Sequence, residues 1–187
     1  MRLAGAGGDE LELSIVGYQF PEADDPRQRF SWHVVEGRAV AGHERWSFRW
    51  PALTCDESPR LAAWLRVVAA GADADTDTNR ADGDTGAPRP GTLTFTEPNL
   101  SFAVLAQGHG PVTLRVGLDL EFRPPSTTAT GATTGTTATG VTSGAKGARG
   151  AGRPTLLHLD LRPDDLRRAA HDLDADIARY PDGLAAR

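Results

Sequence analysis

Cysteine is almost missing from this chain. Cys55 is the only one, which excludes an intramolecular disulfide and any metal site built from several thiolates. Lysine is as scarce: Lys146 stands alone and arginine supplies all other side-chain positive charge. There is no basic excess, since the formal charge is −5 and the pI about 5.5. A nucleic-acid or anionic-membrane binder needs a cationic field to displace counterions, so neither class is expected. Met1–Glu10 lacks the apolar core of a signal peptide, and no apolar run approaches membrane-spanning length. A cytoplasmic protein is the expectation. The low hydrophobic content, 39%, has a local cause. Residues 71–90 and 126–153 hold few large apolar groups, the second being a Thr/Ala/Gly tract, and both are expected to be mobile or disordered inserts.

The remainder of the 187 residues reads as a single domain, 1–187, of α+β class. Leu11, Leu13 and Ile15 alternate with Glu12 and Ser14 as a first strand after a frayed start. Phe30, Trp32 and Val34 alternate with Ser31 and His33 in a second, disturbed near Gly37, and Glu22–Arg29 is a polar loop before it. Trp46, Phe48 and Trp50 define the buried face of a third strand closed by Pro51. Ser58-Pro59 caps a helix carrying Leu61, Trp64, Leu65 and Val68, which Gly71 ends. Leu93–Leu105 forms a hairpin around Pro98-Asn99, with Phe95 facing Phe102, Leu93 facing Val104 and Glu97 facing Leu100. Val112 to Phe122 is one long alternation, and Leu157, Leu159 and Leu161 mark a last strand. A helix from Pro163 then carries Leu166, Ala169, Ala170, Leu173, Ile177 and Tyr180, with Arg162 at the cap. The order is βββα-ββββα: an antiparallel sheet of about seven strands packed with two helices.

Chemistry is hard to find. The carboxylates of Asp73–Asp84 fall at calcium-loop positions, but Thr78 stands where glycine belongs and Asp84 where glutamate does. His33, His43, His109, His158 and His171 lack paired metal-binding spacing, and His33 and His158 fall on polar strand faces. Cys55 has no local base or family signature and reads as a packed thiol. Gly5, Gly7 and Gly8 precede a strand and make no phosphate loop. Glu97 and Glu121 are connected only by membership of neighbouring strands. No catalytic, cofactor-binding or metal-binding residue is assigned, and an enzyme is not expected. Partner-binding residues stay unassigned. Gly17–Pro21 and Glu97–Asn99 are the least generic loops, and their aromatic and turn residues read first as scaffold.

Those two loops also carry a resemblance. Leu11–Pro21 (Leu-Glu-Leu…Gly-Tyr-Gln-Phe-Pro), Trp46-Ser-Phe48, Pro51–Thr54, Leu61–Leu65, Phe95–Phe102, Arg123–Pro125 and Leu161–Leu166 together resemble the WapI family of bacterial immunity proteins. The resemblance covers nearly all of the expected ordered chain and departs at the two inserts and at Arg162. It implies cytoplasmic protection against a contact-delivered polymorphic toxin, a nuclease acting on tRNA in the best-known case. A nuclease inhibitor would present carboxylates to a basic site. Glu22–Asp25, Asp73–Asp84 and the helix face with Asp172, Asp174 and Asp176 are the acidic stretches. The alternative is a β-domain holding a small ligand, in a cavity lined by Trp32, Trp46, Phe95 and Phe102.

Overall fold

Period-two alternation is realised in two antiparallel sheets rather than one. The computed structural model describes residues 1–74, 91–107, 110–125 and 153–181; most of the two expected inserts, His109 and Lys146 lie outside them. The first sheet has the order β1 (Arg2–Ala4), β2 (Glu10–Tyr18), β3 (Trp32–Ala41), β4 (Glu44–Thr54). The second has the order β5 (Leu93–Thr94), β6 (Leu100–Ala106), β7 (Val112–Leu118), β8 (Thr155–Leu161). Three helices occur among the described residues: α1 (Pro26–Arg29), α2 (Glu57–Ala74) and α3 (Pro163–Arg179).

Leu11, Leu13 and Ile15 bury the core face of β2 as their alternation requires. The supposedly frayed start is β1, in which Leu3 is fully buried and the backbone nitrogen of Met1 donates to the Leu13 carbonyl at 2.6 Å. Three residues are too few to show a period, so this strand left no signal. In β3 the phase is the reverse of the expected one. His33, Val35, Gly37 and Ala39 face inward, while Trp32 and Val34 are half-buried. The Val34-Val35 doublet fits either phase, and a register shift at His33/Val34 puts Ala52 in excess on β4. Gly37 does not disturb the strand. It pairs with Leu13 and Phe48, and a Cβ there would lie 2.5 Å from the Phe48 ring, so the missing side chain is the space the ring fills. Strand β4 runs on through Pro51 to Thr54, and Trp50 is 41% exposed rather than core.

The hairpin of the second sheet shares one apolar face, as expected, but its register differs. Leu93 pairs with Phe102 and Thr94 with Ser101, leaving residues 95–99 as a five-residue loop instead of a two-residue turn. The rings of Phe95 and Phe102 still meet edge-to-face at 6.4 Å. Strand β7 stops at Leu118, short of Phe122. Leu120 has φ 49°, a left-handed conformation costly for a branched residue, and starts a 3-10 turn, Leu120–Phe122. That turn carries Phe122 across to the first sheet.

The two sheets adjoin at β1 and β8. The Ala6 amide donates to the Asp160 carbonyl at 3.4 Å, and the Asp9 carboxylate accepts from the His158 amide at 2.9 Å. Gly5 permits this approach, because a Cβ there would lie 2.9 Å from the Leu159 Cα. Helices α2 and α3 pack on each other. The first continues past Gly71 to Ala74, so Gly71 is interior and residues 71–74 belong to the helix, not to an insert. At the start of α3 the arginine cap has no acceptor to offer; the Asp165 carboxylate instead accepts from the Arg162 amide at 3.2 Å. One hydrophobic cluster draws on both sheets and both long helices.

Candidate interaction surface

Three buried polar side chains tie elements together, and the sequence pattern places two of them, His33 and Asp176, on surfaces. His33 is fully buried between Ser58 Oγ, 2.8 Å from its Nδ1, and the Tyr180 carbonyl, 2.9 Å from its Nε2. A carbonyl only accepts, so Nε2 donates to it, and in the neutral ring Nδ1 accepts from the Ser58 hydroxyl. Ser58 is itself fully buried, so the pair is a clamp rather than an accessible nucleophile and base. Tyr18 completes the clamp: its hydroxyl donates to the Pro181 carbonyl at 2.6 Å, and its ring packs against Phe30, His33 and Tyr180. Asp176 is the second. Its carboxylate accepts from the Ile15 amide at 3.1 Å and pairs with Arg179. The position lies beside the bulge at Ile15/Gly17, past the reach of β1, so the carboxylate supplies the acceptor that no strand provides.

Replacing Asp176 by alanine is expected to cost about 2–3 kcal/mol in urea unfolding, because the Ile15 amide is left buried without an acceptor. Asparagine keeps one acceptor oxygen and should cost about 1 kcal/mol.

Glu57 is the third. It is 3% exposed and accepts from the Thr54 amide at 2.9 Å, the Thr96 amide at 2.7 Å and Thr96 Oγ1 at 2.9 Å. Glu121 accepts from Asn99 Nδ2 at 2.9 Å on the far side of the same loop. The Thr96–Asn99 phrase is thus pinned from both ends as scaffold.

What remains exposed defines the surface. Cys55 is buried, whereas His43, His158 and His171 are exposed on the turn, β8 and α3. In the Gly17–Pro21 loop Tyr18 is anchor, while Gln19 and Phe20 are exposed. Of the acidic stretches, Asp25 caps α1 by accepting from the Arg27 amide at 3.0 Å, Asp174 pairs with Arg66, and Asp176 is buried. The carboxylates of Asp172–Asp176 therefore do not form the open acidic face expected of them. Among the described residues no three His, Cys, Asp or Glu are grouped to hold a metal ion, and no helix is long and apolar enough to cross a membrane.

The polar side of the first sheet is open. Strand register sets out its side chains in rows: Arg2, Glu12, Arg38, Ser47; then Glu10, Val40, Arg45; then Ser14, Glu36, Arg49. Arg2 pairs with Glu10 and lies 3.5 Å from Glu12, and Arg49 lies 3.4 Å from Glu36. The Arg2 hydrogen bond holds the Glu10 carboxyl below its ordinary pKa against partial desolvation, with Arg2 and Arg45 adding through-space attraction. A depressed carboxyl pKa adds stability that is full above the unfolded-state value and is lost as pH falls through the folded one. A shallow depression of about 270 Å³ opens in this face between Glu10, Glu12, Arg38, Val40, Arg45 and Ser47. Of the residues expected to line a ligand cavity, Trp46 borders this depression, whereas Trp32, Phe95 and Phe102 line neither it nor its neighbour over Glu36 and Arg49. Phe102 is fully buried, its ring 5.8 Å from that of Trp64, so this part of the expected ligand cavity is filled core.

Two antiparallel sheets packed with helices, with buried polar groups that tie the elements together and an open charged sheet face, define an α+β domain. Residues 2–181 match the Immunity protein WapI-like family, and the chain belongs to that family. Comparison with curated proteins and with solved structures finds no match. Membership in an immunity family suggests a non-enzymatic role and implies a cognate toxin as partner.

Proposed function

We propose that this chain, acting as one domain, neutralises a cognate polymorphic toxin by direct, stoichiometric binding in the cytoplasm. The observation that carries the reading is the family match across residues 2–181, which takes in both sheets and both long helices. Consistent with it, the buried polar residues His33, Glu57 and Asp176 are engaged in holding the fold together. Inhibition by a folded scaffold requires only complementary surface, and its specificity comes from matched charges and shape.

The test starts from gene context: a large secreted protein with a variable C-terminal domain is expected to be encoded immediately upstream, and that domain is co-expressed with this chain. Cells making both should grow, and the two chains should co-purify in equal amounts. Cell death despite full expression, with no complex on co-purification, would overturn the reading.

A further inference from the structure

We propose that the toxin docks on the polar face of the first sheet and places a pair of its own carboxylates between Arg38 and Arg45. This rests on the neutralisation reading and adds the surface and the chemistry of the partner. It also reverses the charge sense that the net charge of −5 suggests, because here the chain supplies the cations and the toxin the acids.

Strand register carries the argument. Arg38 lies opposite Ser47 and Arg45 opposite Val40, so the two arginines are diagonal neighbours on one face, with Arg49 beyond Ser47 on the same strand. All three are exposed. The acids nearby are already engaged: Glu10 and Glu12 by Arg2, and Glu36 by Arg49. Among the described residues neither Arg38 nor Arg45 has an ion pair within bonding distance, and Arg45 attracts Glu10 only through space. Elsewhere arginines on this chain are commonly matched, as in Arg66 with Asp174, Arg123 with Asp119, and Arg167 with Asp164. Two adjacent guanidiniums with no directly bonded carboxylate repel each other, a cost that a pair of incoming carboxylates removes. Guanidinium is suited to this, being planar, always charged and weakly hydrated, and it binds a carboxylate through two parallel hydrogen bonds. The depression of about 270 Å³ gives those carboxylates a concave seat. The seat is rigid because the opposite side of the same strands is core, with Ala39 1% and Trp46 7% exposed. The chain's overall negative charge then suits a toxin that is basic elsewhere, while the local Arg–carboxylate contacts set the docking register.

The experiment uses the full chain and the toxin domain of the co-expression test, with Kd measured by calorimetry at low and physiological salt. Arg38→Glu and Arg45→Glu should each weaken binding by about tenfold or more, and the double variant by about a hundredfold, at unchanged thermal stability. Wild-type affinity should fall as salt rises. Arg115→Glu, on the wet face of the second sheet, should leave Kd within about twofold. A double variant that binds like wild type, while wild type binds and protects, overturns this inference and leaves neutralisation standing. Displacement of the toxin by millimolar inorganic phosphate, equally sensitive to both substitutions, overturns it in favour of a small-anion site. Absence of any wild-type complex overturns both readings.

Discussion

Phe122→Ala is expected to destabilise the protein by about 3–5 kcal/mol and to lower its Tm by roughly 10 °C, the largest effect of any single truncation considered. Phe122 is fully buried and stacks on Phe48 with ring centroids 4.0 Å apart. Its own carbonyl accepts from the Trp46 indole nitrogen at 2.8 Å. The 3-10 turn that carries it is held in a left-handed start at Leu120 by the Asp119 carboxylate, which accepts from the Leu120 amide at 2.6 Å. Stacking on the Phe48 ring, which itself fills the space over Gly37, offsets that local strain. Without the Phe122 ring the turn has strain and no payload, and the edge strand β4 loses its cover. Phe122→Leu, which keeps most of the volume, should cost about 1–2 kcal/mol by thermal and urea unfolding. Equal costs for alanine and leucine would mean that the turn, not the ring, is what matters.

That turn shows why some of the fold was legible in the sequence and some was not. Strands with four or more clean alternations, such as Leu11–Ile15 and Leu157–Leu161, appear where their periods put them. The apolar alternation of Val112–Leu118 runs on to Leu120 and Phe122, yet the backbone leaves the sheet at Asp119, because the partner for Phe122 lies on the other sheet. A pattern of side-chain polarity carries no information about that partner. The same holds for the way the two sheets meet, through contacts of the β1–β2 turn with β8 such as Asp9 with His158, 149 residues apart. Buried polar residues were invisible for a related reason. His33 and Asp176 look solvated in a period-two or helical pattern, and only the Tyr180 carbonyl and the Ile15 amide make their burial tolerable. The candidate docking face was half legible. The polar phase of Arg45, Ser47 and Arg49 is plain in the sequence, but the column of Arg38 and Glu12 beside it requires register.

Glu57→Ala is the second large expected effect, about 3–4 kcal/mol, and its argument differs because no apolar area is at stake. The two carboxylate oxygens divide their work: Oε2 takes the Thr54 amide at the end of β4, and Oε1 takes the Thr96 amide and hydroxyl in the β5–β6 loop. Truncation strands both amides in a place where the remaining groups cannot replace the carboxylate. Asn99 Oδ1 close by in the chain is already buried with no hydrogen-bond partner among the described residues. Glutamine is not a rescue, since its amide nitrogen would face an N–H donor in place of one oxygen, and about 2 kcal/mol should still be lost. The location of the damage separates this from a general loss of packing. Amide exchange should accelerate first at Thr54 and Thr96, while the amides of β2 and β8 keep their protection until global unfolding. Uniform acceleration across both sheets would show instead that the carboxylate stabilises α2 through its first turn, where a negative charge favours the helix dipole.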